Sequence, residues 1–141
     1  NKMKGNRTFT MIKPDGVKKG HIGSILKIIC DNGFKIISMK MTRLSIFEAK
    51  LFYKIHEKRE FYKELINYIT SGPVVVISLQ KENAVEDFRS LIGSTDPKLA
   101  RPGSIRNLFA ESISENVIHG SDSDENAINE INFHFPNKEL F

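Results

Sequence analysis

The chain has 141 residues, 40% of them apolar and 27% charged, with a net charge of +4. That is enough for one domain with its own core and short for two, and no apolar run approaches the roughly 20 residues of a bilayer span or resembles a secretion signal. Cys30 is the single cysteine, so an intrachain disulfide and a cysteine-rich metal site are excluded, and a reducing cytoplasm is the expected compartment.

Residues 1–6 are polar and are expected to form a disordered tail, leaving 7–141 as the domain. Thr8 to Ile12 alternates and is β-prone, and Lys13-Pro14-Asp15-Gly16 predicts a turn that ends the strand. From His21 to Asn32, Ile22, Ile25, Leu26 and Ile29 repeat at helical spacing, and Gly33 supplies a left-handed stop. Ile37, Met39 and Met41 alternate with polar residues, which predicts a second strand with that face buried.

Ser45 with Glu48 reads as a capping box opening a helix through about Ile55, and Phe61, Leu65, Ile66 and Ile69 mark a second helix, completing a hairpin. Val74 to Leu79 is branched and apolar enough for a central strand. Asn83 and Glu86 are expected to cap the next helix, which Gly93 stops. The stretch from Gly93 to about Glu115 is irregular, with one helical turn expected at Ile105 to Phe109. A loop of that length in a small domain is usually functional or disordered. Val117-Ile118 closes the sheet, with His119 at its rim. Ser123 then caps a last helix carrying Ile128, Ile131 and Phe135 on one face. The order predicts an α+β sandwich of the split βαβ type, with four strands in a mixed or antiparallel sheet.

Charge is unevenly spread. Residues 1–60 hold 14 Lys/Arg against 5 Asp/Glu, whereas residues 61–141 hold 7 against 12. Three of those seven, Arg89, Arg101 and Arg106, fall in or beside the irregular loop. Planar guanidinium groups clustered in this way suit phosphate. No basic block with interleaved aromatics marks a nucleic-acid platform. Glycine-rich phosphate loops and H-E-x-x-H are also absent, so phosphate chemistry here rests on side-chain cations and metal.

His119 has no neighbouring Cys or His that would indicate a metal site, and it sits between an apolar run and a helix start. Glu130, seven residues beyond Ser123, lies about two turns into that helix and can point back toward its start. A carboxylate on one ring nitrogen fixes the tautomer and leaves the other nitrogen's lone pair free to attack. His21, His56 and His134 are read as surface or packing residues.

Taken together, Arg7 to Val17, Ser71-Gly72-Pro73-Val74, Pro102-Gly103-Ser104-Ile105-Arg106 and Asn116 to Ser123 resemble nucleoside diphosphate kinase, in order and spacing from Arg7 to Phe141. The resemblance implies a ferredoxin-like four-stranded antiparallel sheet with packed helices and an added helical hairpin. It also implies ping-pong transfer of the terminal phosphate of a nucleoside triphosphate to a nucleoside diphosphate, with magnesium, by a homo-oligomer of four or six chains. Residue by residue, His119 takes the place of the phosphorylated nucleophile, and Glu130 with Ser121 supports it. Lys13, Arg89, Thr95, Arg106 and Asn116 take the phosphate- and sugar-contacting positions, and Phe61 the base-stacking one. Tyr53 and Arg59 fall on positions lining that site, and Asp122 is the candidate to reach magnesium through water. The rival reading is a binding module of the same fold, retained for nucleotide sensing or nucleic-acid contact without turnover.

Overall fold

The computed structural model describes residues 5–141. The first strand, β1 (Arg7–Ile12), has neighbours on both sides: β3 (Val74–Gln80) and β4 (Ile118–Gly120) both pair with it antiparallel. The edge strand β2 (Lys35–Thr42) pairs antiparallel with the other side of β3, so the sheet order is β2-β3-β1-β4.

Alternation along the two central strands builds two cores. Ile12, Val75, Ile77 and Leu79 face α2 (Ile22–Asp31) and α5 (Ala84–Ile92), where Ile25, Ile29, Phe88 and Ile92 meet them. Phe9, Met11, Val74 and Val76 face the opposite layer. There they meet α3 (Ile46–Phe52), α4 (Tyr62–Ile69) and α7 (Asp124–His134) through Ala49, Ile66, Ile69 and Ile131. β3 is buried on both faces, as its continuous apolar run predicts. The remaining helices are short: α1 (Pro14–Lys18) follows β1 directly, and α6 (Ile105–Phe109) breaks the long loop.

Several elements depart from the sequence reading. The expected turn at Lys13 to Gly16 is the opening of α1, since proline at a first helical position lacks only an N–H that would have no helical partner. In β2 a register shift between Ile36 and Ser38 breaks the alternation. Met39 and Met41 are therefore exposed rather than buried, on a strand at the open edge. The capping box at Ser45 forms as expected, but α3 ends at Phe52 and a separate 3-10 turn spans Lys54–His56.

Asn83 sits at the start of α5 in the left-handed region, with φ 57°, and accepts no capping bond. Its amide instead donates to Glu86 and Asp87. On α7, Ala127, Ile131 and His134 form the buried stripe, while Ile128 is exposed. Residues 1–4 of the expected tail lie outside the described residues. Gly5 and Asn6 are tied down by Gly5 N–H donating to Asp124 and by Asn6 C=O accepting from Lys81 N–H.

Candidate active site

His119 lies in the middle of β4, the strand at one edge of the sheet, and pairs with Met11, so it stands at the rim as the sequence predicted. Ile118 and Gly120 on either side are buried; a Cβ on Gly120 would crowd Phe88 and Ile92 beneath it. Strand alternation therefore sends the imidazole to the other layer. There Phe9 and Phe52 lie 6.0 and 5.6 Å away, ring centre to ring centre, and Tyr53 stands edge-on at 6.4 Å.

The chain enters β4 through a strained residue. Val117, fully buried and β-branched, has φ 69°, and the N–H of Ile118 donates across it to the C=O of Asn116 at 2.8 Å. That is the hydrogen bond of a γ-turn, and positive φ puts the turn in its rare form. Val117 C=O in turn accepts from Lys13 N–H at 2.9 Å, locking the turn to the end of β1.

Nε2 of His119 lies 2.8 Å from Oε1 of Glu130, and Ser121 Oγ donates to the same oxygen at 2.7 Å. A carboxylate only accepts, so the ring proton belongs on Nε2 and the lone pair on Nδ1. Both side chains are one-fifth exposed. Ser121 is buried and also receives Phe9 N–H, so the support of the histidine is anchored in β1.

Cations approach from three directions. Lys13, at the end of β1, donates from Nζ to Asn116 Oδ1 at 2.9 Å. Burial, and then the charge of Arg106, push this ammonium down to about 8, while Asp15 opposes the change. Arg106, on α6, is held by Gly93 C=O at 3.0 Å and Ile118 C=O at 2.7 Å. Its Nε is buried with no protein partner. Burial and the nearby Arg89 push the guanidinium down to about 10. Two buried cations beside a third make a site that an anion would relieve.

Most of these groups border one cavity of about 700 Å³. Lys13, Tyr53, Asn116, His119 and Glu130 line its floor, and Phe61, Arg89, Thr95 and Asp122 its walls. Arg106 lies outside this lining, in an adjoining cleft of about 500 Å³ that shares Arg89 and Thr95 with the first. Ser121 lines neither space and reaches the site through its hydrogen bond to Glu130. Arg59 is exposed and lines neither space.

Among the lining residues that the sequence reading did not assign to the site are His56 and Tyr68. His56, read there as surface or packing, borders the cavity 5.5 Å from the Phe61 ring. Tyr68 lines it too, and its hydroxyl donates to the buried Asp15 carboxylate. The available signal for Tyr68 was its spacing: Phe61, Leu65 and Tyr68 fall on one helical face.

A family model described as nucleoside diphosphate kinase matches residues 6–140. The chain belongs to the nucleoside diphosphate kinase family. A nucleoside diphosphate kinase of Flavobacterium psychrophilum is 56% identical over 139 residues, covering 99% of this chain and all of the relative. One from Chlorobaculum tepidum is 52% identical over 134 residues, 95% of this chain and 96% of the relative. Among solved structures, the nucleoside diphosphate kinase of Aquifex aeolicus superposes with a TM-score of 0.94 at 41% identity, over 96% of this chain and 99% of its own. The enzyme of Halobacterium salinarum, solved in complex with CDP, gives 0.93 at 36% identity, over 97% and 92%. The ferredoxin-like fold expected from the sequence is the fold of these nucleoside diphosphate kinases. No helix among the described residues is long and apolar enough to cross a membrane.

No cluster of three or more His, Cys, Asp or Glu among the described residues could cage a metal ion. Asp122 on the cavity wall offers one carboxylate, whose Oδ1 accepts from Asn126 at 2.6 Å. That donor set fits magnesium that arrives on phosphate with its own waters and needs few protein oxygens.

Proposed function

We propose that this chain transfers the terminal phosphate of a nucleoside triphosphate, typically ATP, to a nucleoside diphosphate through a phosphohistidine at His119. The observation that carries the reading is the histidine in the cavity floor, with Nε2 engaged by Glu130 and Nδ1 left over, beside Lys13 and Asn116.

In the first half-reaction the Nδ1 lone pair attacks the γ-phosphorus and the bond to the β-phosphate oxygen breaks. The nucleoside diphosphate leaves with that electron pair. The proton stays on Nε2, where Glu130 balances the imidazolium charge that develops. A second diphosphate then attacks the phosphorus, the P–N bond breaks, and the ring recovers its lone pair. Transfer of this kind depends on alignment and on stabilising charge spread over phosphate oxygens.

Lys13, Arg89 and Arg106 supply that charge, with Thr95 and Asn116 as neutral donors to phosphate and sugar. Phe61, 47% exposed at the cavity wall, offers a stacking face to any base. Tyr53 borders the sugar. Asp122 would hold a triphosphate-bound magnesium through water, and the ion would neutralise charge on the phosphate oxygens. We also infer a homo-oligomer of four or six chains, supported by the open edge of β2 with Met39 and Met41 exposed. The cytoplasm is the proposed compartment, which suits a chain whose single cysteine is free and exposed.

Incubation with terminally labelled ATP is expected to leave acid-labile, base-stable phosphate on the protein. His119→Ala is expected to take none, and equal labelling of the variant would reject the assignment. Steady production of triphosphate from diphosphate separates turnover from mere nucleotide sensing.

A further inference from the structure

Resting on that reading, we propose that Asp15 and Tyr68 are positioning residues for Lys13. Tyr68 holds the buried Asp15 carboxylate two residues from Lys13, close to the ammonium yet held back from pairing with it.

Asp15 is 6% exposed, in the first turn of α1 and two residues from Lys13. Its Oδ1 accepts from the hydroxyl of Tyr68, which comes from α4 and lines the cavity. A buried carboxylate without donors is costly, and a phenylalanine would fill the same space without supplying one. Asp15 and Lys13 form no ion pair, although both are described residues and close in sequence. The ammonium instead donates to Asn116. Of its three donors, one is used and two remain for phosphate.

The charges facing Lys13 are Arg106 on α6, which works against its proton, and Asp15, which works for it. Those facing Tyr68 are Asp15, Glu115 and Tyr53. Burial first and then the bond to Asp15 drive the phenol far above its ordinary range, so it stays a donor. The arrangement separates two effects of an acid. Asp15 lends Lys13 a field that preserves the cation, and Tyr68 prevents the direct contact that an incoming phosphate would have to break.

The two residues are therefore expected to have opposite effects when altered. In Asp15→Asn, the titration midpoint of Lys13, followed by NMR of lysine labelled at Cε and assigned by its loss in Lys13→Met, falls by about one pH unit or more. In Tyr68→Phe the released carboxylate swings onto the ammonium and the midpoint rises. With it the nucleotide KM rises by roughly three- to tenfold at little-changed kcat, the mark of lost ground-state contact. Thermal unfolding and circular dichroism establish that each variant is folded. Midpoints that stay put, or move in the same direction, overturn the proposal. Should Asp15→Asn fail to fold, Tyr68→Phe decides alone, because an unmoved or lowered midpoint there overturns it. The NMR reading needs no turnover, so it stands apart from the labelling experiment that tests phosphate transfer.

Discussion

Oε1 of Glu130 takes two hydrogen bonds at once, from His119 Nε2 at 2.8 Å and from Ser121 Oγ at 2.7 Å, so one oxygen fixes both the tautomer and the direction of the ring. Glu130→Ala should lower phosphorylation of His119 by about 10- to 150-fold, the equivalent of the 1.5–3 kcal/mol of a hydrogen bond to a charged group. Glu130→Gln keeps an acceptor and should lose roughly tenfold, and Ser121→Ala should lose less. Single-turnover labelling ranks the three. Equal rates for Glu130→Ala and wild type would mean that the carboxylate plays no part in the transfer.

Lys13 gives the enzyme an alkaline limit. Its ammonium is pushed to about 8 in the free protein, so kcat/KM should fall as pH rises through about 8 while the neutral amine loses its hold on phosphate. Under saturation the bound phosphate favours the cation, and the limit of kcat should lie higher. The same shift affects stability. Between pH 8 and 10.5 the unfolded chain binds the proton and the folded one does not, so this residue's contribution rises with pH across that window. Below it the buried cation costs on the order of 3 kcal/mol. Lys13→Met should therefore lose activity while resisting urea better than wild type at pH 7, and the difference should narrow by pH 10. A variant less stable at pH 7 would contradict this account.

Gly16 is needed for space. A Cβ there would lie 2.7 Å from Val117 Cγ2 and 2.9 Å from Ile12 Cγ2. Val117 already holds a positive φ and cannot yield without disturbing the γ-turn that feeds β4. Gly16→Ala should cost about 1–3 kcal/mol, as overpacking does. It should also slow phosphorylation, because the displaced residue is two positions before His119. A calorimetric Tm unchanged within a degree would show that the contact relaxes freely.

The elements around the histidine were legible in the sequence because they depend on local chemistry. The Asn116 to Ser123 stretch carries its own turn, the proposed nucleophile and a helix cap, and the spacing to Glu130 is set by helical geometry. What the sequence hid was tertiary. Tyr68 meets Asp15 across 53 residues and from a different helix, which no periodicity encodes. The exposure of Met39 and Met41 follows from a bulge and from an edge position, both decided by pairing partners rather than by β2 itself. Reading Val117 as strand failed for a similar reason. Val117, apolar and β-branched, reads as strand, yet its carbonyl is claimed by Lys13 and its backbone turns before β4 begins.

His134 should make the fold acid-sensitive independently of catalysis. It stacks parallel on Phe9 with ring centres 5.0 Å apart and is 8% exposed, and its Nε2 is buried without a partner. Burial, and then Lys40, push it down to about 4, assisted by His119 and opposed by Glu48 and Glu130. Between pH 6.5 and 4 the unfolded chain takes up a proton that the folded chain refuses, so stability falls with falling pH. The loss from this group approaches about 3 kcal/mol at the lower end. His134→Phe keeps the stack and removes the titration. Comparing urea midpoints at pH 7 and 4.5 should show a smaller decline in the variant than in wild type. Equal declines would place the acid sensitivity in other groups, the carboxylates and His56, which burial and then Arg59 also push down.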